Sequence, residues 1–509
     1  MPSHAHLAID LGAESGRAIV GTIDGDHLSL HELHRFRHAP VEMPSGLHWD
    51  ITRLWQQILV GLTAAGKWSR DSGIQIESLG VDTWGVDFAL VSQGGELMGL
   101  PHCYRDAQHQ LGFQRLTQSV PPSEIYEATG IQLMPINSIY QLNQRKEINP
   151  AMLAASNRLL FMPDLFHTML GSKPVNELTI ASTSQMVDPR TGKWASALLT
   201  RARVPPHILG ELVMPGTWIG ALSPEIADRS GLPQGTEIFT PAGHDTASAV
   251  AAVPAADGDA RNWCFLSSGT WSLLGAELDA PCMTEGAMRG NFTNELGVAS
   301  SGRPTVRFLK NIVGLWMVQE CKRHFDSQPP LLEYDELSRL AGASTPFRTL
   351  LNVALPIFVS PGNMPGKISD YASRTGQPVP ETRGEFVRAC LESLALAYRE
   401  TLTQLEAVLG RRFDVIHAVG GGSRNRLLNQ MTADATGRRV VAGPSEATAA
   451  GNILVQAMGA CHVPDLAAIR RMVAHSFAPE VFIPRDTAIW ERVADKYEQL
   501  ARLEENKVA

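Results

Sequence analysis

The sequence predicts an α/β protein built from two domains of similar size. The chain has 509 residues, whereas one hydrophobic core stops growing at about 250 to 300 residues. Short apolar runs that suit strands alternate with apolar residues at helical spacing, a pattern typical of a mixed sheet covered by helices. A strand–turn–strand pattern near the beginning of the chain also returns in its second half, which indicates two domains of one architecture.

The first domain is expected to open with antiparallel strands and to continue with a helix and further strands. Apolar runs that end at turns predict strands at 7–10, 17–23, 28–36, 79–82 and 88–91. Asp50 precedes apolar residues at helical spacing between Ile51 and Leu62, which predicts an amphipathic helix capped by Asp50. Residues 238–251 pass from a strand through Gly243 into a helix of small residues.

The second domain is expected to repeat this opening. Cys264–Leu266 leads into the turn Ser267–Thr270, and residues 271–278 leave the turn as a second strand. Further patterns predict a helix at 386–409, a strand at 415–419, a glycine loop at 420–422 and a helix at 425–435. Pro, Ala, Asp and Gly cluster at 254–261 as in a linker. We therefore predict domains at 1–255 and 256–509.

Composition excludes several classes of protein. The net charge is −8 with a pI near 6.1, and the basic residues are scattered, so no nucleic-acid partner is expected. The N-terminus lacks a signal peptide and no apolar stretch reaches the length of a membrane helix, which predicts a cytoplasmic protein without a membrane partner. Six widely spaced cysteines without a C-x-x-C pair indicate reduced thiols.

Two turns are candidate phosphate-binding sites. In Asp10–Arg17 a carboxylate at a strand end precedes small residues; glycine lets backbone N–H groups approach an anion, and the aspartate can reach Mg²⁺. An ordinary hairpin would show the same local pattern. Ser267–Ser272 supplies a second such turn, and two turns at corresponding places of two halves could hold a nucleotide between them.

Two further glycine segments share features with nucleotide-binding motifs. Gly420–Asn425 opens a helix, whose N-terminus favours anionic groups, although a loop that only needs unusual dihedral angles explains it equally well. With the later run Ala442–Gly451 it would suit an adenosine surface. Gly61–Lys67 has P-loop spacing, but Trp68 replaces the hydroxyl residue and the segment belongs to a helix, so it is not a P-loop.

Asp245 is the sharpest catalytic candidate. It follows a strand end and Gly243, where a carboxylate could accept a proton from an alcohol that attacks a phosphate. A helix cap is an equally good explanation of the local pattern. Thr83–Asp87 and Tyr104–Asp106 combine aromatic, glycine and polar residues, which suit a sugar; a buried tryptophan and a surface ion pair are the alternative.

These segments together resemble the FGGY family of carbohydrate kinases over nearly the whole chain. The resemblance is carried by Asp10–Arg17, Val81–Phe88, Tyr104–Asp106, Met162–Asp164, His244–Val250, Ser267–Ser272, Thr293–Glu295, Leu309–Trp316 and Gly420–Gly422. It implies two actin-like (ribonuclease H-like) domains of similar size that flank a nucleotide and sugar cleft. Residues 1–255 would then bind the sugar and hold the catalytic aspartate, and 256–509 would bind ATP.

The resemblance also implies roles for individual residues. The implied ATP contacts are Ala13, Glu14, Ser15, Gly16, Arg17, Thr270, Gln319 and Gly421. The implied sugar contacts are Gly85, His244, Asp245, Thr246 and Asn311. Asp245 matches the proton acceptor and Asp10 the aspartate associated with Mg²⁺. Two residues depart from the pattern: Glu14 is acidic in a phosphate turn, and Leu296 replaces a glycine, which could reshape the loop before Asn311.

The implied activity is ATP-dependent phosphorylation of the 1-hydroxyl of a ketose, with L-rhamnulose expected as substrate. L-fuculose or another ketose is the first alternative. An actin-like nucleotide switch or filament protein is a second, which leaves Asp245 and the segment Trp84–Gly85 unexplained. The sequence does not distinguish a monomer from a dimer.

Overall fold

The computed structural model describes residues 4–255, 262–300 and 302–508, with the side chains of 300 and 501–508 left out. The chain forms two compact units, and both are discontinuous. Unit 1 comprises Met1–Gly258, Glu277–Leu309 and Glu446–Phe477, and unit 2 comprises Asp259–Ala276, Lys310–Ser445 and Ala478–Ala509. Residues 256–261 of the predicted linker lie outside the described residues, and the division at 255/256 stays a prediction.

The elements alternate along the chain as the α/β prediction requires. The strands are β1 (His4–Leu11), β2 (Ser15–Asp24), β3 (His27–Arg37), β4 (Val41–Met43), β5 (Gly46–His48), β6 (Ile76–Thr83), β7 (Phe88–Val91), β8 (Arg158–Phe161), β9 (Asn176–Glu177), β10 (Val187–Asp188), β11 (Lys193–Trp194), β12 (Leu212–Val213), β13 (Trp218–Ala221), β14 (Glu237–Phe239), β15 (Trp263–Ser268), β16 (Trp271–Leu278), β17 (Thr293–Ser300), β18 (Arg303–Val313), β19 (Val415–Val419), β20 (Arg439–Ala442) and β21 (Glu480–Phe482). The helices are α1 (Ile51–Ser72), α2 (His109–Ser119), α3 (Pro122–Thr129), α4 (Ser138–Ile148), α5 (Pro150–Ala155), α6 (Met162–Leu170), α7 (Leu178–Ser182), α8 (Ser196–Arg201), α9 (Pro224–Ser230), α10 (Asp245–Ala251), α11 (Glu285–Arg289), α12 (Trp316–Phe325), α13 (Tyr334–Ala343), α14 (Pro356–Val359), α15 (Met364–Arg374), α16 (Arg383–Leu409), α17 (Arg426–Thr436), α18 (Ala447–Gly459), α19 (Leu466–Ser476) and α20 (Thr487–Val508). Short 3₁₀ turns lie at Pro206–Ile208 and Gly421–Arg424.

Unit 1 is built on a six-stranded sheet in the order β13-β14-β6-β1-β2-β3. The first three strands pair antiparallel, which confirms the predicted opening. β6 runs parallel to β1, and β14 runs parallel to β6. The central strands β1 and β6 are almost entirely buried, which is why both read as nearly continuous apolar runs.

Helix α1 confirms the predicted cap and the rejection of a P-loop at 61–67. The Asp50 carboxylate accepts the backbone N–H of Arg53 at 3.0 Å. Gly61 and Gly66 both lie inside the helix. A Cβ on Gly66 would lie 2.2 Å from the carbonyl oxygen of Ser230, so this glycine permits close packing and has no part in binding phosphate.

Unit 2 repeats the strand arrangement of unit 1. β15 pairs antiparallel with β16, while β19 runs parallel to β15 and β20 runs parallel to β19. The predicted strand–turn–strand repeat is therefore confirmed. The predicted helix at 425–435 begins one residue later, at Arg426, because Asn425 is its cap and accepts the N–H of Leu428 at 3.0 Å.

The helices and cysteines bear on the expectations from composition. Among residues 4–255, 262–300 and 302–508, no helix combines the length and apolar character required to cross a bilayer. All six cysteines are free thiols.

Candidate active site

Three parallel segments of unit 1 end at the same edge of its sheet. Asp10 of β1 lies beside Asp82 of β6. Thr83 then donates its N–H to the carbonyl of Gly243 at 2.9 Å and forms a bridge with His244. The carboxyl ends of parallel strands are the usual place for ligands in open α/β sheets. The topology therefore collects polar side chains that are far apart in the chain.

Asp10 and Asp82 are the buried carboxylates at this edge. We call Asp10, Asp82 and Asp245 the carboxylate cluster. Burial raises the pKa of Asp10 to about 6, although the neighbouring Arg17 opposes that shift. Burial and the proximity of Asp10 raise the pKa of Asp82 well above its usual value. Oδ2 of Asp10 and Oδ1 of Asp82 are buried without a hydrogen bond. Such oxygens are suited to a cation.

Asp82 was not among the predicted site residues. Asn452 on α18 donates its amide to Oδ2 of Asp82. Gln456 in turn donates to Oδ1 of Asn452 at 2.6 Å and accepts the Ser78 hydroxyl at 2.6 Å. Asp82 lies in the quoted segment Val81–Phe88, but only the pairing of β1 with β6 places it beside Asp10.

The first predicted phosphate turn, Asp10–Arg17, includes the end of β1 and the start of β2, and residues 12–14 connect the two strands. Gly12 donates its N–H to the carbonyl of Ser15 at 3.0 Å, which closes the turn. His38 secures it from outside: its backbone N–H donates to the carbonyl of Glu14 at 3.1 Å, and its Nε2 lies 2.8 Å from the carbonyl of Gly12. These hydrogen bonds therefore fix the backbone of the turn although it contains the acidic Glu14.

Arg17 links the turn to the carboxylate cluster. Its Nη1 lies 3.5 Å from Oδ2 of Asp10 and pairs with Glu446. Glu446 immediately precedes α18, and nothing in the local sequence indicated this role. Gly16 is required by packing, since a Cβ there would lie 2.3 Å from the ring of Phe36.

Asp245 is the first residue of α10, and the cap position belongs to His244, which makes no side-chain capping bond. Oδ1 of Asp245 accepts the N–H of Thr246 at 2.5 Å and its hydroxyl at 3.1 Å. Burial raises the pKa of Asp245, with His244 opposing that shift. The Asp245 side chain nevertheless keeps 28% of its surface exposed. The Asp245 carboxylate therefore stabilises the N-terminus of α10 and also remains accessible to a ligand.

His244 is held between Asp245 and a buried ion pair. Its Nε2 lies 3.5 Å from Oδ1 of Asp245, and its Nδ1 lies 3.1 Å from Oε2 of Glu295. Arg307 approaches the same oxygen at 3.0 Å. Burial acts to raise the pKa of Glu295, but Arg307 and His244 outweigh it and hold the pKa below its usual value. Nη1 of Arg307 also lies 3.2 Å from Nδ1 of His244, and because an arginine can only donate, Nδ1 accepts this hydrogen bond and Nε2 faces Asp245.

Arg307 was not among the predicted site residues, and it contacts the backbone of Leu296. This fully buried arginine donates Nε and Nη2 to the carbonyl of Leu296 at 3.2 and 3.1 Å. The N–H of Leu296 donates to the Ser182 hydroxyl at 2.9 Å. Leu296 lies in β17 and its side chain belongs to the apolar core, and its effect on the loop before Asn311 stays a prediction. Its backbone makes the contacts that matter to Arg307.

Gly85 lies beside His244, and a Cβ there would come within 3.2 Å of Nε2 of that histidine. For Trp84 the buried alternative is correct, since the ring is 4% exposed and stacks near Trp49. Both indoles donate to Oδ2 of Asp87, at 3.0 and 2.6 Å. Trp84 therefore shapes the segment that presents Gly85.

The segment Tyr104–Asp106 also has a structural role. The N–H of Tyr104 donates to Asp87 at 3.0 Å. Asp106 is buried and accepts the N–H groups of Leu47 at 3.0 Å and Gln108 at 2.9 Å. The surface ion pair considered for Asp106 is therefore wrong.

Unit 2 brings the second phosphate turn and the glycine loop together. Because β15 and β19 are parallel, Ser267 and Val419 are partners and both strands end at the same edge. Gly420 has a φ of +83°, which favours glycine. A Cβ on Gly422 would lie 2.1 Å from Oγ of Ser268. The predicted contact Gly421 thus lies in a loop pressed against the turn.

Helix α12 begins at the same turn. Trp316 donates its N–H to the carbonyl of Thr270 at 3.1 Å, and Leu315 donates to Gly269 at 3.0 Å. Oε1 of Gln319, one turn into the helix, is buried without a hydrogen bond. Thr270, Gln319 and Gly421 are thus brought to one corner of unit 2, which we call the turn cluster. Asn311 lies on the later part of β18.

Both halves of the chain match known protein domains. Residues 5–252 match the N-terminal domain, and residues 264–460 the C-terminal domain, of the FGGY family of carbohydrate kinases. A rhamnulokinase of Bacteroides thetaiotaomicron is 43% identical over 490 residues, which are 95% of this chain and 97% of that protein. A rhamnulokinase of Oceanobacillus iheyensis is 37% identical, over 93% of this chain and 97% of that protein.

Solved structures share the fold at much lower identity. A ligand-bound xylulose kinase from Lactobacillus acidophilus has a TM-score of 0.77 and 14% identity, with 98% of both chains covered. Plasmodium falciparum glycerol kinase with ADP has a TM-score of 0.74 and 14% identity, and 98% of both chains is again covered. The fold is that of the actin-like, ribonuclease H-like sugar kinases. The chain belongs to the FGGY family of carbohydrate kinases.

Proposed function

We propose that this kinase transfers the γ-phosphoryl group of ATP to the 1-hydroxyl of L-rhamnulose, with Mg²⁺ as cofactor. The observation that carries the proposal is Asp245, a partly exposed carboxylate with a raised pKa at the meeting point of three strand ends. The choice of sugar is supported by relatives named rhamnulokinase at 36–43% identity over nearly their full length.

Asp245 serves as the general base. Ionised, it accepts the proton of the hydroxyl that attacks phosphorus, and such a base contributes about 10² to 10⁴-fold to the rate. The remainder comes from alignment and charge neutralisation, because the transition state of phosphoryl transfer is loose. Nε2 of His244 lies 3.5 Å from Oδ1 of Asp245, and Arg307 holds the ring at Nδ1. His244 therefore positions the sugar beside the base.

The side chains of unit 1 also fit a divalent cation. The buried carboxylate oxygens of Asp10 and Asp82 that lack hydrogen bonds are hard donors of the kind that Mg²⁺ prefers, usually through water. Bound there, Mg²⁺ would neutralise charge on the phosphates. We propose Asp10 as the principal contact, with Asp82 behind it, and Arg17 as a donor to phosphate oxygens.

In unit 2 the turn cluster is the proposed nucleotide contact. Backbone N–H groups of a glycine loop and of a small-residue turn favour phosphate oxygens. Gln319 offers a buried amide oxygen without a hydrogen bond. Asn311 and Thr246 remain proposed sugar contacts on the strength of the family resemblance.

The substrate is tested by supplying purified protein with Mg·ATP and a panel of ketoses that includes L-rhamnulose and L-fuculose. We expect the highest kcat/KM for L-rhamnulose, with phosphorus coupled to the C1 protons in the NMR spectrum of the product. A higher kcat/KM for L-fuculose would refute L-rhamnulose as the preferred substrate but would leave the proposed phosphoryl transfer unchanged. Consumption of ATP that no sugar stimulates would favour the nucleotide switch.

The base is tested with D245N, and D71N serves as the matched control because Asp71 is exposed on α1. We expect D245N to lose at least about 10²-fold in kcat while its affinity for ATP stays nearly unchanged. D71N should behave as the wild type. Near-normal turnover by D245N would refute the assignment of Asp245.

A further inference from the structure

A second group of metal-ligating side chains lies in unit 1, apart from the carboxylate cluster. His4 begins β1, Glu77 is the second residue of β6, and His462 follows α18. One ligand atom from each lies within 4.8 Å of the others. Nδ1 of His4 is 2.9 Å from Oε1 of Glu77, and Nε2 of His462 is 3.6 Å from Oε2.

The two imidazoles lie face to face, with ring centroids 3.7 Å apart and an interplanar angle of 22°. Because an imidazole binds a metal in its ring plane, the ring of His4 has to turn about its side-chain bonds for both nitrogens to face one ion. Between 19% and 37% of the surface of each of the three side chains is exposed, so an ion from solvent can reach them. Two imidazole nitrogens and one carboxylate form a donor set that zinc sites use, with a further position left for water.

The other nitrogen of His462 has a defined partner. Nδ1 of His462 lies 3.3 Å from Nε2 of His6, and Nδ1 of His6 lies 2.8 Å from Oγ of Ser78. With its metal-facing Nε2 unprotonated, His462 carries its proton on Nδ1 and donates it to His6. His6 then donates to Ser78, whose hydroxyl donates to Gln456. Metal-ligating histidines characteristically donate their second N–H in this way.

We propose that His4, Glu77 and His462 bind Zn²⁺, with His6 as the buried acceptor that fixes the ring of His462. The donor set selects zinc and related first-row metals over Mg²⁺, which prefers oxygen ligands. The site is therefore chemically distinct from the magnesium contact proposed at Asp10.

The ion would join segments that are remote in the chain. Residue 4 and residue 462 lie near the two ends of unit 1 in sequence. A ligand that binds only the folded state stabilises it by mass action. Zn²⁺ at about 100 times its dissociation constant should therefore lower the unfolding equilibrium constant of unit 1 by about 100-fold.

The test uses full-length protein without a polyhistidine tag, stripped of metal with a chelator. Zn²⁺ is titrated by calorimetry, and Co²⁺ is followed by its visible absorption in the presence of excess Mg²⁺. We expect one site per chain for the untagged protein and a rise in thermal stability with Zn²⁺. H462N and E77Q should each weaken binding by at least about 10-fold, since loss of a hydrogen-bonding partner behind a metal ligand already costs that much.

Two controls address other zinc ligands on the surface. Cys461 is exposed beside His462, and His475 is an exposed histidine of the same unit that pairs with Asp26. C461S and H475N should bind Zn²⁺ as tightly as the wild type. Absence of binding to the wild type, unchanged binding by both H462N and E77Q, or loss of binding in C461S would each overturn the proposal. Far-UV circular dichroism confirms that every variant is folded.

Discussion

His167 on α6 supports the middle of β6 through a hydrogen bond that exists only when its imidazole is neutral. The N–H of Val81 donates to Nε2 of this histidine at 2.8 Å. His167 is 1% exposed, and burial lowers its pKa to about 3. In the unfolded chain the pKa returns to about 6.5. Between these values the unfolded chain binds a proton that the folded protein excludes.

The sign of the effect follows from that difference. The contribution of His167 to stability is fully present above about pH 6.5 and is lost as pH falls toward 3. From about pH 7.5 to about pH 5 it lowers the free energy of unfolding by about 2 kcal/mol. H167Q removes the titration while its amide oxygen can still accept the N–H of Val81.

The assay is urea unfolding of wild type and H167Q at several pH values, followed by circular dichroism. Other groups titrate in both proteins, so the difference between them isolates His167. We expect H167Q to be the less stable protein at about pH 7.5 and to gain about 2 kcal/mol relative to wild type at about pH 5. A difference that stays constant across this range would refute the reasoning.

Two further predictions concern turnover. Because burial raises the pKa of Asp245, kcat/KM for the ketose should be flat at high pH and fall about tenfold per pH unit below that raised value; a profile that rises as pH falls would contradict a carboxylate base. G422A would place a Cβ 2.1 Å from Oγ of Ser268, and displacement of the loop should raise KM for ATP by about 10-fold. G342A is the control, since a Cβ there meets only Leu427 at 3.9 Å and leaves KM unchanged.

Local sequence patterns were sufficient to predict the hairpins, the capped helix α1 and the two turns. In each, the signal lies within a few residues, as with Asp50, whose partner Arg53 is three positions away. The structure confirms these elements because local preference and tertiary packing agree there.

Asp82 and the two charged residues Glu446 and Arg307 could not be found in this way. Asp82 gains its place from the register of β1 with β6, and Glu446 gains its place from the return of the chain more than 400 residues later. Arg307 reads in the sequence as one more charged residue of a strand. Its role depends on Glu295 and His244 arriving at the same buried point. Long-range pairing of this kind leaves no periodic trace in sequence.

Asp245 shows a different limit of prediction from sequence. An aspartate at the start of a helix fits both a cap and a base, and the two explanations predict the same local residues. The structure places His244 at the cap and Asp245 one position later, so Asp245 is not the cap residue, and its role as the base stays a prediction.

The interleaved segments of unit 1 have a consequence for its synthesis. Helix α10 packs against α18 so closely that a Cβ on Gly451 would lie 1.8 Å from the carbonyl oxygen of Ser248. On the ribosome, α10 leaves the exit tunnel about 200 residues before α18, which at about 5 to 20 residues per second is a delay of tens of seconds or less. During that interval the small apolar face of α10 lacks its partner, and Asp82 lacks Asn452. Nascent chains that end before residue 446 should therefore engage chaperones and remain sensitive to protease, and protection of the first segment should appear only once the third has emerged.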